Sequence, residues 1–398
     1  MGTAGTVQAV FPRIDYLHWI EGRPDAATYD LGSSDLRGSG PLQEGPVPDR
    51  LADLPDPPDD VDLEGQVADE YGVGRESVLL APGASVANVV ALAAALNLAV
   101  DADAAPGEPT VATGESRVLV EKPGYEPLLE TPRGLGANVD RFLRRAGDDY
   151  RLDSDRIRAA VVEDTALTVV TNRHNPSGNL ADRDTLAAAA EAARSEGAYL
   201  LVDEVYAPFV DPADAGTVRV GSGADSGPTG GAFGGPTAAG IDGAVVTGSL
   251  TKFHGLGGLR VGWVVADPEF VEAARVVAAH VPGFSEPGRV LGRRAFAAGD
   301  RLAEEARSLL RENAALLAEF VDGRDDLSGP VFDGATYAFL DHDRADGDAV
   351  AAAAEERDLL VVPGRFFQEP GRFRVSLGRD PDHVADALDV LGETLDAR

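Results

Sequence analysis

The sequence predicts an α/β fold built on a largely parallel sheet, and three observations carry that reading. Short apolar runs alternate with helix-period stretches along most of the chain, the pattern of parallel strands joined by crossover helices. The length of 398 residues suits one large α/β unit or two domains of roughly 100–200 residues each. A hydrophobic share of 44% supplies a real core and excludes a chain disordered throughout.

Strands are expected over 77–81, 117–121, 167–171, 199–202, 244–247 and 261–266, where short apolar stretches are bounded by turn residues. Helices are expected over 85–100, 185–196, 270–280, 301–321, 345–357 and 382–397 from their 3.6-residue pattern. The segments 101–114 and 211–240, rich in Gly, Ala and Pro, read as surface excursions between structured elements. No repeat is visible, no apolar stretch reaches ~18 residues, and residues 1–11 lack the pattern of a secretory leader. A soluble, cytoplasmic protein is expected.

Acidic residues number 67 against 35 basic ones, a net charge of −32 that repels phosphate backbones and anionic lipid. Nucleic acid and membrane surfaces are therefore not expected as partners. The absence of cysteine removes disulfides, thiolate metal sites, iron–sulfur clusters and cysteine nucleophiles. Six scattered histidines make no metal set, and no metal is expected. Only Lys122 and Lys252 are lysines, which with the acidity suggests adaptation to high salt. A lysine kept in such a chain is a stronger candidate than usual for chemistry that arginine cannot supply, since only lysine deprotonates to a nucleophilic amine. Lys122 reads as a solvent-facing residue.

Ligands of open α/β sheets collect at the carboxyl ends of the strands, and candidate residues follow nearly every expected strand. Gly83-Ala84-Ser85 opens a long helix whose free N–H groups suit a phosphate, or serve as a plain N-cap. Tyr125 could lie over a planar ligand or simply pack at its strand exit. Asn172-Arg173-His174-Asn175-Pro176-Ser177-Gly178 is a dense turn signal, with His174 read as a turn residue. Asp203-Glu204-Val205-Tyr206 puts a carboxylate at the tip of a buried strand, where a charge must be paired. Ser249-Leu250-Thr251-Lys252 ends the fifth strand and leads through a Gly-rich stretch to Arg260.

Together these residues resemble the class I/II aminotransferases, aspartate aminotransferase-like enzymes of fold type I that use pyridoxal 5′-phosphate. The run from Ser249 through Lys252 and Arg260 to Gly262 matches the family's lysine signature. Asn172 to Gly178 is similar to its N-x-x-N-P-[ST]-G segment, and Asp203 to Tyr206 to its D-x-x-Y segment. Val361-Val362-Pro363-Gly364 and Arg374-Val375-Ser376-Leu377 resemble the C-terminal segments that present a carboxylate-binding arginine. Order and spacing agree from about residue 63 to the end.

The resemblance implies a large domain over 46–290 with a mostly parallel seven-stranded sheet. A smaller α+β domain would follow over 291–398, joined by the N-terminal arm, 1–45. It implies pyridoxal phosphate held on Lys252 as a Schiff base, with Lys252 afterwards moving a proton at the substrate Cα. Asp203 would pair with the pyridine nitrogen, Tyr206 and Asn175 with the phenolic oxygen, and Tyr125 would stack on the ring. Gly83, Ala84, Ser85, Ser249 and Arg260 would meet the phosphate. Arg374 would grip the substrate α-carboxylate, with Asn175 beside it. Arg365, Arg372 and Arg379 lie close enough in sequence to compete for that role. A homodimer is expected, yet the tyrosine by which the family's partner subunit reaches the phosphate has no counterpart in 54–60. Tyr16, Trp19 and 31–35 match loosely and receive no role.

The leading function is transamination between an L-amino acid and a 2-oxo acid by a ping-pong mechanism. The alternative is a related lyase or decarboxylase, because reaction choice depends on which Cα bond stands perpendicular to the ring. A degenerate binding protein would have lost Lys252, Asp203 or Arg260, and a regulator would need a DNA-binding domain in the roughly 60 residues before the match. Side-chain selectivity lives in loops that these motifs do not fix.

Overall fold

Strands that run as nearly continuous apolar stretches must be covered on both faces, and the computed structural model, which describes residues 11–36, 47–101, 116–210 and 234–397, shows how. Among the described residues the strands, in chain order, are Tyr29–Asp30 (β1), Val78–Ala81 (β2), Arg117–Lys122 (β3), Asn138–Leu143 (β4), Thr165–Thr171 (β5), Tyr199–Asp203 (β6) and Ala244–Ser249 (β7). Then come Gly262–Val265 (β8), Leu327–Ser328 (β9), Tyr337–His342 (β10), Leu359–Leu360 (β11), Val362–Pro363 (β12) and Arg372–Ser376 (β13). A seven-stranded sheet has the order β2-β8-β7-β6-β5-β3-β4. Only β8 runs against its neighbours; the pairs β3 with β4, β3 with β5, β5 with β6 and β6 with β7 are parallel. β5 and β7 are buried throughout.

The six expected strands of this sheet are all present, with no end shifted by more than two residues. β4 was not expected, for a physical reason. It is an edge strand paired only with β3, and its NVDRFL sequence is half-exposed along most of its length, so it lacks the apolar run of a central strand.

The helices start where short polar side chains cap them. Asp182 accepts the N–H of Thr185 and starts Arg183–Arg194, and Asp267, followed by Pro268, accepts that of Phe270 and starts Pro268–Ala278. These caps explain why both helices begin two residues before their expected starts. Helices Leu63–Tyr71, Glu126–Gly134, Ser154–Ala160 and Glu286–Ala297 complete the layers. None of the described helices is long and apolar enough to cross a membrane.

A second, antiparallel sheet has the order β12-β13-β10-β9, with Arg374 of β13 opposite Phe339 and Val362. The N-terminal arm is stitched to this region. β1 pairs with β11, the Leu31 carbonyl accepts the Ser376 N–H at 2.7 Å, and the Lys252 carbonyl accepts the Leu36 N–H at 3.1 Å. Gly255, at φ 64°, lets the Leu36 carbonyl approach where a Cβ would stand. The arm thus runs from the C-terminal sheet to the loop after β7.

The expected excursion 101–114 lies outside the described residues except for its first residue, as does 211–233 of the second. The return of the second, 234–240, is not a surface excursion, since Gly235 to Ala239 are buried. Glu204 accepts the Thr237 hydroxyl at 2.8 Å and the Ala238 N–H at 2.7 Å, and Arg183 donates to the Thr237 and Ala239 carbonyls. A carboxylate and an arginine hold what composition alone reads as a loop.

Candidate active site

Register brings the candidate residues to one rim. Thr171, Asp203 and Thr247 are paired across β5, β6 and β7, and Ala81, Gly262 and Ser249 across β2, β8 and β7. Because β8 is antiparallel, its amino end reaches this rim, which is why Arg260 precedes its strand while the other candidates follow theirs.

At the centre, Asp203 is 4% exposed and its carboxylate accepts from Asn88 Nδ2 at 2.9 Å and the Val205 N–H at 3.2 Å. No cation lies within ion-pair distance of it among the described residues. Burial raises its pKa to about 6, against the lowering effect of Asn88, Val205 and Lys252. The Lys252 ammonium is half-buried, donates to Ser34 Oγ at 3.3 Å and lies 5.9 Å from the Tyr206 ring centre. Burial pushes its pKa down, but Tyr206, Asp35 and Tyr16 outweigh that and hold it above the ordinary value. Tyr206, itself buried, shares a 2.8 Å hydrogen bond with Ser34. Ser34 on the N-terminal arm therefore touches both Lys252 and Tyr206, a role the loosely matching arm did not reveal.

The four neighbouring arginines differ in their partners. Arg365 pairs with Asp348, Arg372 with Asp341 and Arg379 with Asp30. Arg374 is 1% exposed and has no carboxylate partner among the described residues. Its Nη1 donates to Asn175 Oδ1 at 2.9 Å, its Nη2 to the Gly32 carbonyl at 2.9 Å and Tyr16 Oη at 3.3 Å, and its Nε is buried without a partner. Phe367 and Tyr337 flank the guanidinium at just over 5 Å. A buried cation with a free donor and no counter-ion is built for an anion.

Asn175 is fixed from behind. Its N–H donates to Thr171 Oγ1, whose hydroxyl donates to Glu121, which is locked in a buried ion pair with Arg144 at 2.8 Å. Burial raises the Glu121 pKa and lowers that of Arg144. His174, expected as a turn residue, is in the turn and fully buried, bonded to Ser177 Oγ and the Pro123 carbonyl. Burial and Arg144 hold its pKa well below the ordinary value, so it serves as a neutral bolt. Tyr125 stands at the start of Glu126–Gly134, edge-on to Tyr16 at 5.9 Å. Burial raises its phenol well above the usual range, and Tyr16, Tyr206 and Asp203 add to that. Lys122, expected to face solvent, is half-buried.

The candidate phosphate-binding residues meet at Gly83. A Cβ there would meet the Arg260 guanidinium at 2.8 Å, and one on Gly262 would meet the Gly83 backbone at 2.5 Å. Gly83 also takes φ 84° to turn into the helix Ala84–Asp101. Arg260, exposed, donates to the Pro82 carbonyl at 3.1 Å across this turn, Ser85 is exposed, and Ser249 is buried with its Oγ accepting the Thr251 N–H. These features fit pyridoxal phosphate: an anion cradle of N–H groups and arginine, a half-buried amine, and, among the described residues, a buried carboxylate without a cation and a buried guanidinium without an anion. Among the described residues no group of His, Asp or Glu could hold a metal.

Asn88 and Thr247 belong to the site and were missed. The signal for Asn88 was available, since it is the first amide in a helix that begins ASVANVVAL, a stretch whose other polar side chain is Ser85 at the helix start.

Fold and site define an enzyme of the pyridoxal-phosphate-dependent, type I class. The family model described as "Aminotransferase class I and II" matches residues 50–391. A histidinol-phosphate aminotransferase of Halorubrum lacusprofundi is 27% identical over 84% of this chain and 79% of its own. An aspartate aminotransferase of Streptomyces avermitilis is 23% identical over 82% and 76%. Among solved structures, a PLP-dependent aminotransferase from Streptococcus suis is similar with TM-score 0.76, 22% identity and coverage of 97% and 98%. Aspartate aminotransferase from Thermus thermophilus with maleate gives 0.72, 19%, and 99% and 100%. The chain belongs to the class I and II aminotransferase family and is a pyridoxal-phosphate-dependent transaminase.

Proposed function

We propose that the protein moves the amino group of an L-amino acid to a 2-oxo acid in a ping-pong pair of half-reactions at the rim carrying Lys252, Asp203 and Arg374. The observation that carries this reading is Arg374, a buried guanidinium with no carboxylate partner among the described residues, bonded to Asn175 and near enough to Lys252 to influence its charge. When bound, pyridoxal phosphate supplies an electron sink conjugated to Cα and a carrier for the amino group. Lys252 Nζ is the attachment amine and, when released, the base and acid that moves a proton between Cα and the cofactor's C4′. Asp203 holds a proton on the pyridine nitrogen, which keeps the sink strong. Tyr206 and Asn175 address the phenolic oxygen, and Tyr125 covers the ring. The N–H groups of Ala84 and Ser85, the Ser249 hydroxyl and Arg260 would hold the phosphate, with Gly83 making the turn that presents them. Arg374 binds the α-carboxylate that amino acid and oxo acid share, so one pocket serves both halves.

The same reading divides the molecule into a cofactor-bearing domain, 46–290, and a smaller one formed by 291–398 with the N-terminal arm. Lys252 and Arg374 fall on opposite sides of that division, so closure on substrate would complete the site. A cytoplasmic homodimer is the assembly this reading includes, supported by the family resemblance.

The test is borohydride reduction of the cofactor-loaded protein followed by peptide mapping. The reading requires the label on Lys252. A label on Lys122, or none, overturns it.

A further inference from the structure

We propose that Asn88 is a positioning residue for Asp203, working through a chain in which the Thr247 hydroxyl orients the Asn88 amide and that amide orients the Asp203 carboxylate. This inference rests on the role given to Asp203 above.

The geometry is continuous. Thr247 Oγ1 donates to Asn88 Oδ1 at 2.6 Å, and Asn88 Nδ2 donates to Asp203 Oδ2 at 2.9 Å. All three side chains are buried, at 0%, 7% and 4% exposure. Asp203 and Thr247 are register partners on the parallel strands β6 and β7, so their side chains leave the same face of the sheet. Asn88 comes to that face from one turn inside the helix Ala84–Asp101, whose first residues form the phosphate cradle.

An amide has a donor and an acceptor end, and only one orientation serves an ionised carboxylate. With the Thr247 proton on Oδ1, the NH₂ must face Asp203. Turned over, the amide would set its carbonyl against the carboxylate, two acceptors in contact. Thr247 thus selects the amide orientation, and the amide fixes which Asp203 oxygen remains for another donor. Among the described residues the other Asp203 oxygen accepts only the Val205 N–H, at 3.2 Å. Lys252 in the loop after β7 and Glu121 of β3 also act on this carboxylate, while the adjacent Glu204 and the phenols of Tyr71, Tyr125 and Tyr337 sense its charge. Of the groups that favour its ionised form, Asn88 acts most strongly, opposing burial.

The experiment compares Asn88→Leu, Thr247→Val, Thr247→Ser and Asp203→Ala as holoenzymes. The readouts are the pH dependence of the bound cofactor's visible absorption, the affinity for pyridoxal phosphate, and kcat and KM for one amino donor. Loss of a hydrogen bond to a charged group predicts that Asn88→Leu lowers kcat by roughly tenfold to a hundredfold. Its KM for the donor stays near that of the parent, because Arg374 still holds the substrate. The acid limb of its spectral titration moves to higher pH, since burial is then less opposed. Thr247→Val shifts that limb the same way to a smaller extent, and Thr247→Ser, which keeps the hydroxyl, brings it back. A merely structural role would lower thermal stability without moving the limb. If Asn88→Leu does not fold, the Thr247 pair decides alone. An unmoved limb in Thr247→Val, or in a folded Asn88→Leu, overturns the inference while Asp203→Ala is impaired. An Asp203→Ala enzyme that works normally overturns the role of Asp203 instead.

Discussion

Replacing Arg374 with alanine should separate substrate recognition from cofactor binding. The guanidinium is 1% exposed and offers five N–H donors, of which Nη1 and Nη2 already serve Asn175, Gly32 and Tyr16 while Nε has no partner. Truncating one partner of a desolvated, hydrogen-bonded charge pair costs about 2–5 kcal/mol, which corresponds to a loss of roughly 30- to 4,000-fold in affinity for amino donor and oxo acid. Cofactor affinity should be almost unchanged, because Gly83, Arg260 and Lys252 lie on other elements. Arg374→Lys should recover only part of the loss, since an ammonium cannot give two parallel hydrogen bonds to a carboxylate. The assay is a pair of titrations on each variant, one with pyridoxal phosphate and one with donor, at high salt to screen the net charge of −32. Donor binding that survives, or cofactor binding that fails, would refute the reasoning. The carboxylate would then be held elsewhere, and Arg372, whose Asp341 pairing is a long 3.4 Å, would be next to examine.

Asp203→Ala should keep cofactor bound through Lys252 and the phosphate cradle yet slow Cα proton removal by orders of magnitude, read by stopped-flow exchange of a Cα-deuterated donor; an unchanged rate would remove Asp203 from the chemistry. Arg260→Ala should do the reverse of Arg374→Ala, weakening pyridoxal phosphate by about 10- to 100-fold without altering donor preference, as equilibrium dialysis would show. Glu204, buried and raised to about 8, binds its proton more tightly in the folded protein than in the unfolded chain. Its contribution to stability is therefore present at low pH and is lost as pH rises from about 4.5 to about 8. Glu204→Gln, which can still accept the Ala238 N–H and pair with Thr237, should flatten the fall in Tm across that window; an unchanged slope would show that Glu204 does not titrate there.

Much of this protein was decided by local sequence. A strand buried on both faces must be a continuous apolar run, so the central strands of the main sheet and the chemistry at their carboxyl ends stood in the sequence in order. Lys252 stood out because lysine is otherwise nearly absent, and Gly83 and Asp203 because turn geometry and burial restrict what can occupy such places. Edge strand β4 did not stand out, because its outer face is wet, and neither did the burial of 235–239, which depends on Glu204 and Arg183 from distant elements. Tertiary structure alone distinguishes the arginines: a guanidinium's environment is set by which carboxylates surround it, and only folding gives Arg365, Arg372 and Arg379 their partners and leaves Arg374 without one among the described residues. It also brought Ser34 to Lys252 across 218 residues and Asn88 to Asp203 across 115. Such contacts between residues far apart in the chain have no periodicity and no spacing to read, because they are fixed by strand order and register.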